Sequence, residues 1–137
     1  MNRNGSPTPV QALTSPMFSS DSMRAVFSAE NCVQRMLDVE AALARALASE
    51  ALIPESAVNP WVRCCDVSLM DLAALAQASR NAGNLAIPLV KQLTERVAAV
   101  DADAARYVHR GATSQDIIDT GMVLQLREAI QRIMIDL

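Results

Sequence analysis

The stretch of this 137-residue sequence richest in chemically useful side chains is HRGATSQD, residues 109–116, at the start of a long apolar segment. It holds the only histidine of the chain together with two hydroxyls, an amide and a carboxylate. Thr113 and Asp116 have the spacing of a capping box, in which two side chains satisfy free backbone N–H groups at the start of a helix. The spacing therefore predicts that a helix begins here.

A capping box leaves the side chains of His109, Ser114 and Gln115 in this stretch unused. The first backbone N–H groups of a helix have no partner within it, and the helix dipole favours a negative charge beside them. A hydroxyl next to those N–H groups, and a histidine that donates a further hydrogen bond, would complete a socket for a carboxylate. The residues alone leave two interpretations open: an ordinary helix cap, or a cap that also binds an anion.

The composition predicts an all-α protein to position these groups. Apolar residues make up 51% of the chain but aromatic residues only 3%, so the core must be aliphatic. Four glycines and six prolines leave little material for the frequent tight turns of a β-sandwich. Ala, Leu, Glu, Gln, Arg and Met dominate most of the sequence, and all are good helix formers.

A long first helix is predicted after Ser28, which is a suitable N-cap. Apolar side chains recur there at helical spacing and define a buried stripe. Glu40 falls on the same stripe, and we expect it to be a partly buried carboxylate paired with an arginine from another segment. A catalytic role for Glu40 has no second feature to support it.

Three local signals divide the middle of the chain. Ser68 with Asp71 three residues later predicts the start of a helix, and Gly83 is placed to end it in the left-handed conformation. Pro88 suits the first turn of the next helix, which puts Asn84 in a tight helix–helix connection. By contrast, the Asn-Pro pair at positions 59 and 60 disfavours a continuous helix through ESAVNPWVRCCD.

Charge and cysteine content exclude several classes of function. The net charge is −3 and no Lys/Arg cluster occurs, so we expect no nucleic-acid partner. No apolar run approaches the roughly 20 residues of a membrane span, and the N-terminus lacks the apolar core of a secretory signal. The three cysteines lack metal-site spacing and are expected to be reduced thiols. We therefore predict a cytoplasmic protein with no membrane partner and no metal.

Three motifs carry a family resemblance. HRGATSQDIIDTG resembles the first signature region of the fumarase/aspartase superfamily, where a Thr-Ser or Ser-Ser pair and an Asp open a long helix of a central bundle. Together with RMLDVEAALARA and AGNLAIPLVKQL, in this order over most of residues 18–137, it is similar to the bacterial 3-carboxy-cis,cis-muconate cycloisomerases. Adenylosuccinate lyase is the nearest alternative because it shares the Thr-Ser-x-Asp pattern, although such lyases usually carry a His-containing segment in place of AGNLAIPLV. A non-catalytic helical interaction module is the other alternative.

The resemblance implies a domain organisation and an activity. It implies an N-terminal helical domain over residues 16–112 and the start of a truncated central helical bundle over 113–137, while the Ser-, Thr-, Pro- and Asn-rich composition of residues 1–15 predicts a flexible tail. The implied enzyme converts 3-carboxy-cis,cis-muconate, a tricarboxylate, to 4-carboxymuconolactone in protocatechuate catabolism by the β-ketoadipate route. It would need no metal or organic cofactor and would form a homotetramer in the cytoplasm.

The resemblance also implies roles for individual residues. Thr113 and Ser114 would bind a substrate carboxylate with the helix N-terminus, His109 would line the same pocket, and Asn84 would contribute an amide donor. Gln115 is a further substrate-binding candidate, whereas Asp116 is the structural half of the cap. The second signature region, and the loop whose serine is usually assigned as the catalytic base, are expected beyond Leu137. We therefore expect no catalytic residue within this chain, and an N-terminal fragment that is inactive alone.

Overall fold

The structure, a computed structural model, describes residue 14 and residues 16–137. Its helices are α1 Asp21–Val26, α2 Ala29–Ser49, α3 Val58–Arg63, α4 Leu72–Ala82, α5 Ala86–Val100 and α6 Ser114–Asp136, with residues 16–18 also helical. Short 3₁₀ helices occur at Glu55–Ala57, Val67–Leu69 and Ala104–Tyr107. The described residues contain no strand, which confirms the all-α prediction. The tail expected over 1–15 lies outside the described residues, apart from residue 14.

Helix α2 is the central element, and it begins where the sequence predicts. Ser28 is its N-cap, and the Ser28 hydroxyl accepts a hydrogen bond from the Asn31 N–H at 3.1 Å. The apolar stripe faces the core: Met36 and Leu37 are almost fully buried. Because this face packs against several other helices, α2 provides the surface on which the rest of the domain is assembled.

Helix α6 lies against α2 at very short range. A Cβ built on Gly121 would lie 3.0 Å from Met36 Cγ and 3.3 Å from Met36 N, so only a glycine fits this approach without displacement. Arg35 of α2, next to Met36, also forms a salt bridge of 2.9 Å with Glu128 of α6. The turn that precedes α6 is therefore held at a fixed place beside α2.

No continuous helix runs through the whole of ESAVNPWVRCCD, as predicted, although the short helix α3 includes the Asn59-Pro60 pair. Pro60 is the third residue of α3, in the first turn, where a backbone N–H has no intrahelical acceptor and its loss costs nothing. Trp61, which follows, is fully buried in the aliphatic core. Burial of this large side chain stabilises the helix against the backbone preference of the residue before the proline.

The predicted start of α4 is corrected, because Asp71 and not Ser68 is the N-cap. The Asp71 carboxylate accepts a hydrogen bond from the Ala74 N–H at 2.9 Å, while Ser68 lies in the preceding 3₁₀ helix. The end of α4 is as predicted, with Gly83 in the left-handed region at φ +73°. The Asn84 side-chain oxygen then accepts a hydrogen bond from the Ile87 N–H at 3.0 Å and fixes the start of α5.

Candidate functional site

The N-terminus of α6 carries the first group of candidate residues. Thr113 is the N-cap, and the Asp116 carboxylate accepts a hydrogen bond from the Thr113 N–H at 2.8 Å, which confirms the capping box. The Ser114 hydroxyl makes no hydrogen bond to any described residue and is half-buried. The first N–H groups of α6 have no intrahelical acceptor. One hydroxyl and several backbone donors are thus available at the positive end of the helix dipole.

The turn that leads into α6 holds His109 in an uncommon conformation. His109 has φ +61° and Gly111 has φ +78°, so two residues of this turn adopt left-handed backbone. Such a φ is unusual for a residue with a side chain. The His109 side chain is 19% exposed, and its Nδ1 lies 2.6 Å from Glu40 Oε1 of α2. The turn is therefore fixed to the middle of α2 through the imidazole.

The expectation for Glu40 is corrected by this contact, because its partner is His109 and not an arginine. The Glu40 side chain is also fully buried, whereas the sequence predicts that it is partly buried. On the same helix, Arg35 is occupied by Asp38 and Glu128. Burial raises the pKa of Glu40, and the hydrogen bond and charge of His109 oppose that rise. A buried acid on an apolar stripe and a lone histidine in the capping motif were the signals that could have predicted the pair.

The second group of candidates lies in a groove of about 410 Å³ between α2, the Gly83–Leu85 connection and α6. Asn84 and Gln115 both line this groove, so the structure brings these two amides together. The Gln115 amide donates a hydrogen bond to the Asp119 carboxylate at 2.5 Å, one turn further along α6. Thr113, Ser114 and His109 are not among the lining residues, and the candidates therefore fall into two adjoining groups.

Gln125 is a polar lining residue of this groove that sequence reasoning did not identify. It is 5% exposed, and its side-chain amide donates a hydrogen bond to the Val26 carbonyl at 2.9 Å. The contact holds the end of α1 against α6. Its position on a helix that is apolar over much of its surface was the available signal, but the partner lies 99 positions away in sequence.

Other site chemistries find little support in the described part of the chain. Residue 14 and residues 16–137 contain no group of three or more His, Cys, Asp or Glu side chains placed to hold a metal. The three cysteines are free, and burial, with a contribution from the charge of Glu40, raises the pKa of Cys65 to about 12. Such a thiol is inert as a nucleophile. None of the described helices combines the length and apolar character needed to cross a bilayer.

Comparison with known proteins identifies the class. A lyase family model matches residues 17–137, and the chain belongs to this family, whose N-terminal helical domain it reproduces. The chain is 54% identical over 130 residues to a 3-carboxy-cis,cis-muconate cycloisomerase of Bradyrhizobium diazoefficiens, covering 95% of this chain and 29% of that protein.

A solved structure supports the same relationship. The crystal structure of the 3-carboxy-cis,cis-muconate lactonizing enzyme from Pseudomonas putida matches with a TM-score of 0.86 and 51% identity, over 88% of this chain and 28% of that one. An adenylosuccinate lyase of Methanothermobacter thermautotrophicus is 40% identical, over 82% of this chain and 24% of that protein. The chain thus spans less than a third of the length of each of these relatives.

Proposed function

We propose that this chain is the N-terminal part of a cycloisomerase that converts 3-carboxy-cis,cis-muconate to 4-carboxymuconolactone. The observation that carries the proposal is the 54% identity to a cycloisomerase of this specificity, over 95% of the chain. The lower identity of 40% to an adenylosuccinate lyase makes that activity the second candidate. A non-catalytic helical interaction module remains the third, and the assay below separates all three.

The proposed reaction makes clear what the site must bind. One carboxylate of the substrate adds to a carbon–carbon double bond to close the lactone ring, and a proton is delivered to carbon. The substrate carries three carboxylates, and negative charge develops on one of them during the reaction. Fixed hydrogen-bond donors placed at such a group stabilise the charge as it forms. An anion-binding helix N-terminus in this chain is consistent with that requirement.

In this proposal the two groups of candidates receive separate carboxylates. One carboxylate of the substrate is bound by the Ser114 hydroxyl, the capped N-terminus at Thr113 and the imidazole of His109. These donors lie close together in the chain, in the turn before α6 and in its first residues. The amides of Asn84 and Gln115 line the adjoining groove and bind another part of the substrate. All five residues act in binding, and the group that moves the proton belongs to a part of the enzyme outside residues 1–137.

The remaining parts of the proposal follow from the family likeness. The complete protein is a cytoplasmic homotetramer that needs no metal or organic cofactor. The exposed apolar side chains of α6, among them Leu126 at 45% and Ile130 at 58% exposure, are consistent with burial of this helix in a larger bundle. We also propose that the 137-residue chain has no substantial turnover by itself.

The test is an ultraviolet assay for loss of 3-carboxy-cis,cis-muconate. It compares the 137-residue chain with the complete protein encoded by the reading frame that contains it, and adenylosuccinate is assayed in parallel. Activity on the muconate in the complete protein alone is the expected result. Turnover of adenylosuccinate instead would support the second candidate, and turnover of neither would favour the interaction module. Turnover by the short chain would contradict the assignment of its residues to binding alone.

A paired substitution tests the binding residues in the complete protein. Ser114→Ala removes one hydroxyl donor to a charged group, and we expect KM to rise by roughly tenfold or more. Thr120→Ala removes an exposed hydroxyl from the same helix, nearly two turns further along, and is the matched control. Equal KM values for the two variants would remove Ser114 from the site.

A further inference from the structure

The contact between Glu40 and His109 joins two distant parts of the chain, 69 positions apart. Glu40 is fully buried, and its Oε1 lies 2.6 Å from His109 Nδ1. The second carboxylate oxygen, Oε2, is also buried and has no hydrogen-bond partner among the described residues. His109 is therefore the one described side chain that hydrogen-bonds this carboxylate. A carboxylate is rarely fully buried with so little compensation unless the arrangement has a use.

The contact determines which ring atom of His109 is available to a ligand. Nδ1 is occupied by Glu40, whereas Nε2 has no hydrogen-bond partner within the described part of the chain. A carboxylate on one ring nitrogen fixes both the orientation of the imidazole and the position of its proton. His109 also keeps a left-handed backbone at φ +61°, an uncommon conformation that points to a constraint at this residue.

The turn places the imidazole close to the N-terminus of α6. The Ala112 N–H donates to the His109 carbonyl at 3.4 Å, so a single turn of chain separates His109 from the cap residue Thr113. The α6 donors and the imidazole can therefore meet the same small anion. The contact with Glu40 keeps the ring at one place relative to those donors, since Glu40 lies on α2, against which α6 is packed.

The proton balance of the pair fits this arrangement. When the pair holds two protons, Nε2 carries one of them whichever of Glu40 and Nδ1 holds the other, and Nε2 is then a donor. When one proton is lost, the remaining proton lies between Nδ1 and the carboxylate, and Nε2 becomes an acceptor. The pair therefore presents Nε2 as a donor to a carboxylate in the state that holds two protons.

We infer that Glu40 is a positioning residue, which holds His109 through Nδ1 and so presents Nε2 to a carboxylate group of the ligand at the N-terminus of α6. The identity of that ligand rests on the proposed function. The role of Glu40 in holding His109 does not depend on which ligand binds. Two experiments therefore separate the failure of one from the failure of the other.

The first experiment uses the 137-residue chain without any ligand. His109 is its only histidine, so long-range ¹H–¹⁵N NMR observes a single imidazole. At mildly alkaline pH we expect the proton on Nδ1 in the wild type. Glu40→Gln should move the major population to the Nε2–H form, since a charged acceptor at Nδ1 is lost. The same protonated nitrogen in wild type and variant would overturn the inference.

A matched control and a second variant test whether the change in the imidazole spectrum comes from the Glu40 contact itself. Glu128→Gln breaks a salt bridge between α6 and α2 without touching His109, and it should leave the imidazole spectrum unchanged. Glu40→Asp keeps the carboxylate but withdraws it by one methylene, and should give an intermediate mixture of the two forms. If Glu40→Gln fails to fold, Glu40→Asp decides the matter: an imidazole spectrum identical to that of the wild type would contradict the positioning role of Glu40.

The second experiment is a double-mutant cycle on the complete protein with 3-carboxy-cis,cis-muconate. Glu40→Gln should lower kcat/KM by roughly tenfold or more, because a neutral amide does not stabilise the doubly protonated, charged imidazole that binds a carboxylate best. In a His109→Ala background the same change should have almost no further effect, because Glu40 acts through His109. An undiminished loss in that background would overturn the inference. If the wild type does not act on the muconate, the proposed function fails and the NMR comparison decides the role of Glu40.

Discussion

Gly121 of α6 approaches Met36 of α2 so closely that a Cβ at position 121 would lie 3.3 Å from the Met36 backbone nitrogen. Backbone atoms cannot move aside as a flexible side chain does. This contact therefore sets the distance between α2, which carries Glu40, and α6, which carries Ser114 and follows the turn of His109. The spacing of α2 and α6 is a structural requirement of the candidate site.

We expect Gly121→Leu to force these helices apart. Insertion of extra side-chain volume at a close contact typically costs about 1–3 kcal/mol of unfolding free energy, and the backbone approach here places the cost at the upper end. Urea denaturation of the 137-residue chain measures the change. Thr120→Leu adds the same side chain at an exposed neighbouring position and should leave stability nearly unchanged. Equal stability of both variants would contradict the close approach.

His109→Ala is expected to destabilise the chain at neutral pH, because the Glu40 carboxylate would remain buried without a partner. Breaking a buried charge pair in this way costs about 3–5 kcal/mol, less where the remaining acid can take up a proton. Arg110→Ala, in the same turn but exposed, is the control.

The loss of stability caused by His109→Ala should be smallest at acid pH. Burial already raises the pKa of Glu40, and removal of His109 removes the interactions that oppose this rise. An acid whose pKa is higher in the folded state stabilises the fold when protonated, and this contribution is lost as pH rises through the folded value. The variant should therefore come closest to the wild type in acid, and thermal melts across a pH series would show it. A stability difference that grows toward acid would contradict the assignment.

Asp71→Ala should lower stability through loss of the N-cap of α4. The carboxylate accepts a hydrogen bond from the Ala74 N–H, and replacement of such a cap by alanine typically costs about 1 kcal/mol. Ser68→Ala, at the position that the sequence pattern favours as the cap, should have a much smaller effect. Thermal unfolding of the two variants distinguishes the caps, and a larger loss for Ser68→Ala would restore the sequence-based assignment.

The exposed apolar strip of α6, formed by Met122, Leu126, Ile130 and Ile133, should cause self-association of the chain. Sedimentation analysis at rising concentration should give masses above the 14.7 kDa of a monomer. Leu126→Glu with Ile130→Glu should return the chain to a monomer, because charged groups would have to lose their hydration in the contact. Two glutamates introduced on exposed positions of α5 control for the added charge. A clean monomer for the unaltered chain would contradict this prediction.

Local signals in the sequence were sufficient for much of the fold. Ser28, Gly83 and the Thr113–Asp116 pair act within a few residues of themselves, so their effects on helix ends could be predicted from spacing alone. Asp71 and Pro60 show the limit of that reasoning. Asp71 can be a helix cap or the capping-box partner of Ser68, and Pro60 can interrupt a helix or lie in its first turn, so spacing alone does not decide between them.

The candidate site was only partly predictable. The residues of the α6 cap lie together in sequence, and the resemblance added Asn84. The link from His109 to Glu40 joins positions 69 residues apart, and no local pattern encodes which residues two helices bring into contact. The partner of a buried charge is set by tertiary packing, which the sequence pattern of α2 does not contain.

The Glu40–His109 contact also constrains how this family can vary. A lineage that loses the histidine keeps a carboxylate in the core with no donor, and one that loses the acid keeps a histidine in a strained turn with nothing to hold its ring. Either single change leaves one of the two groups without its hydrogen-bond partner. The two positions should therefore be inherited as a unit, changing together or not at all, and their joint identity should mark branches of the family more sharply than either residue alone.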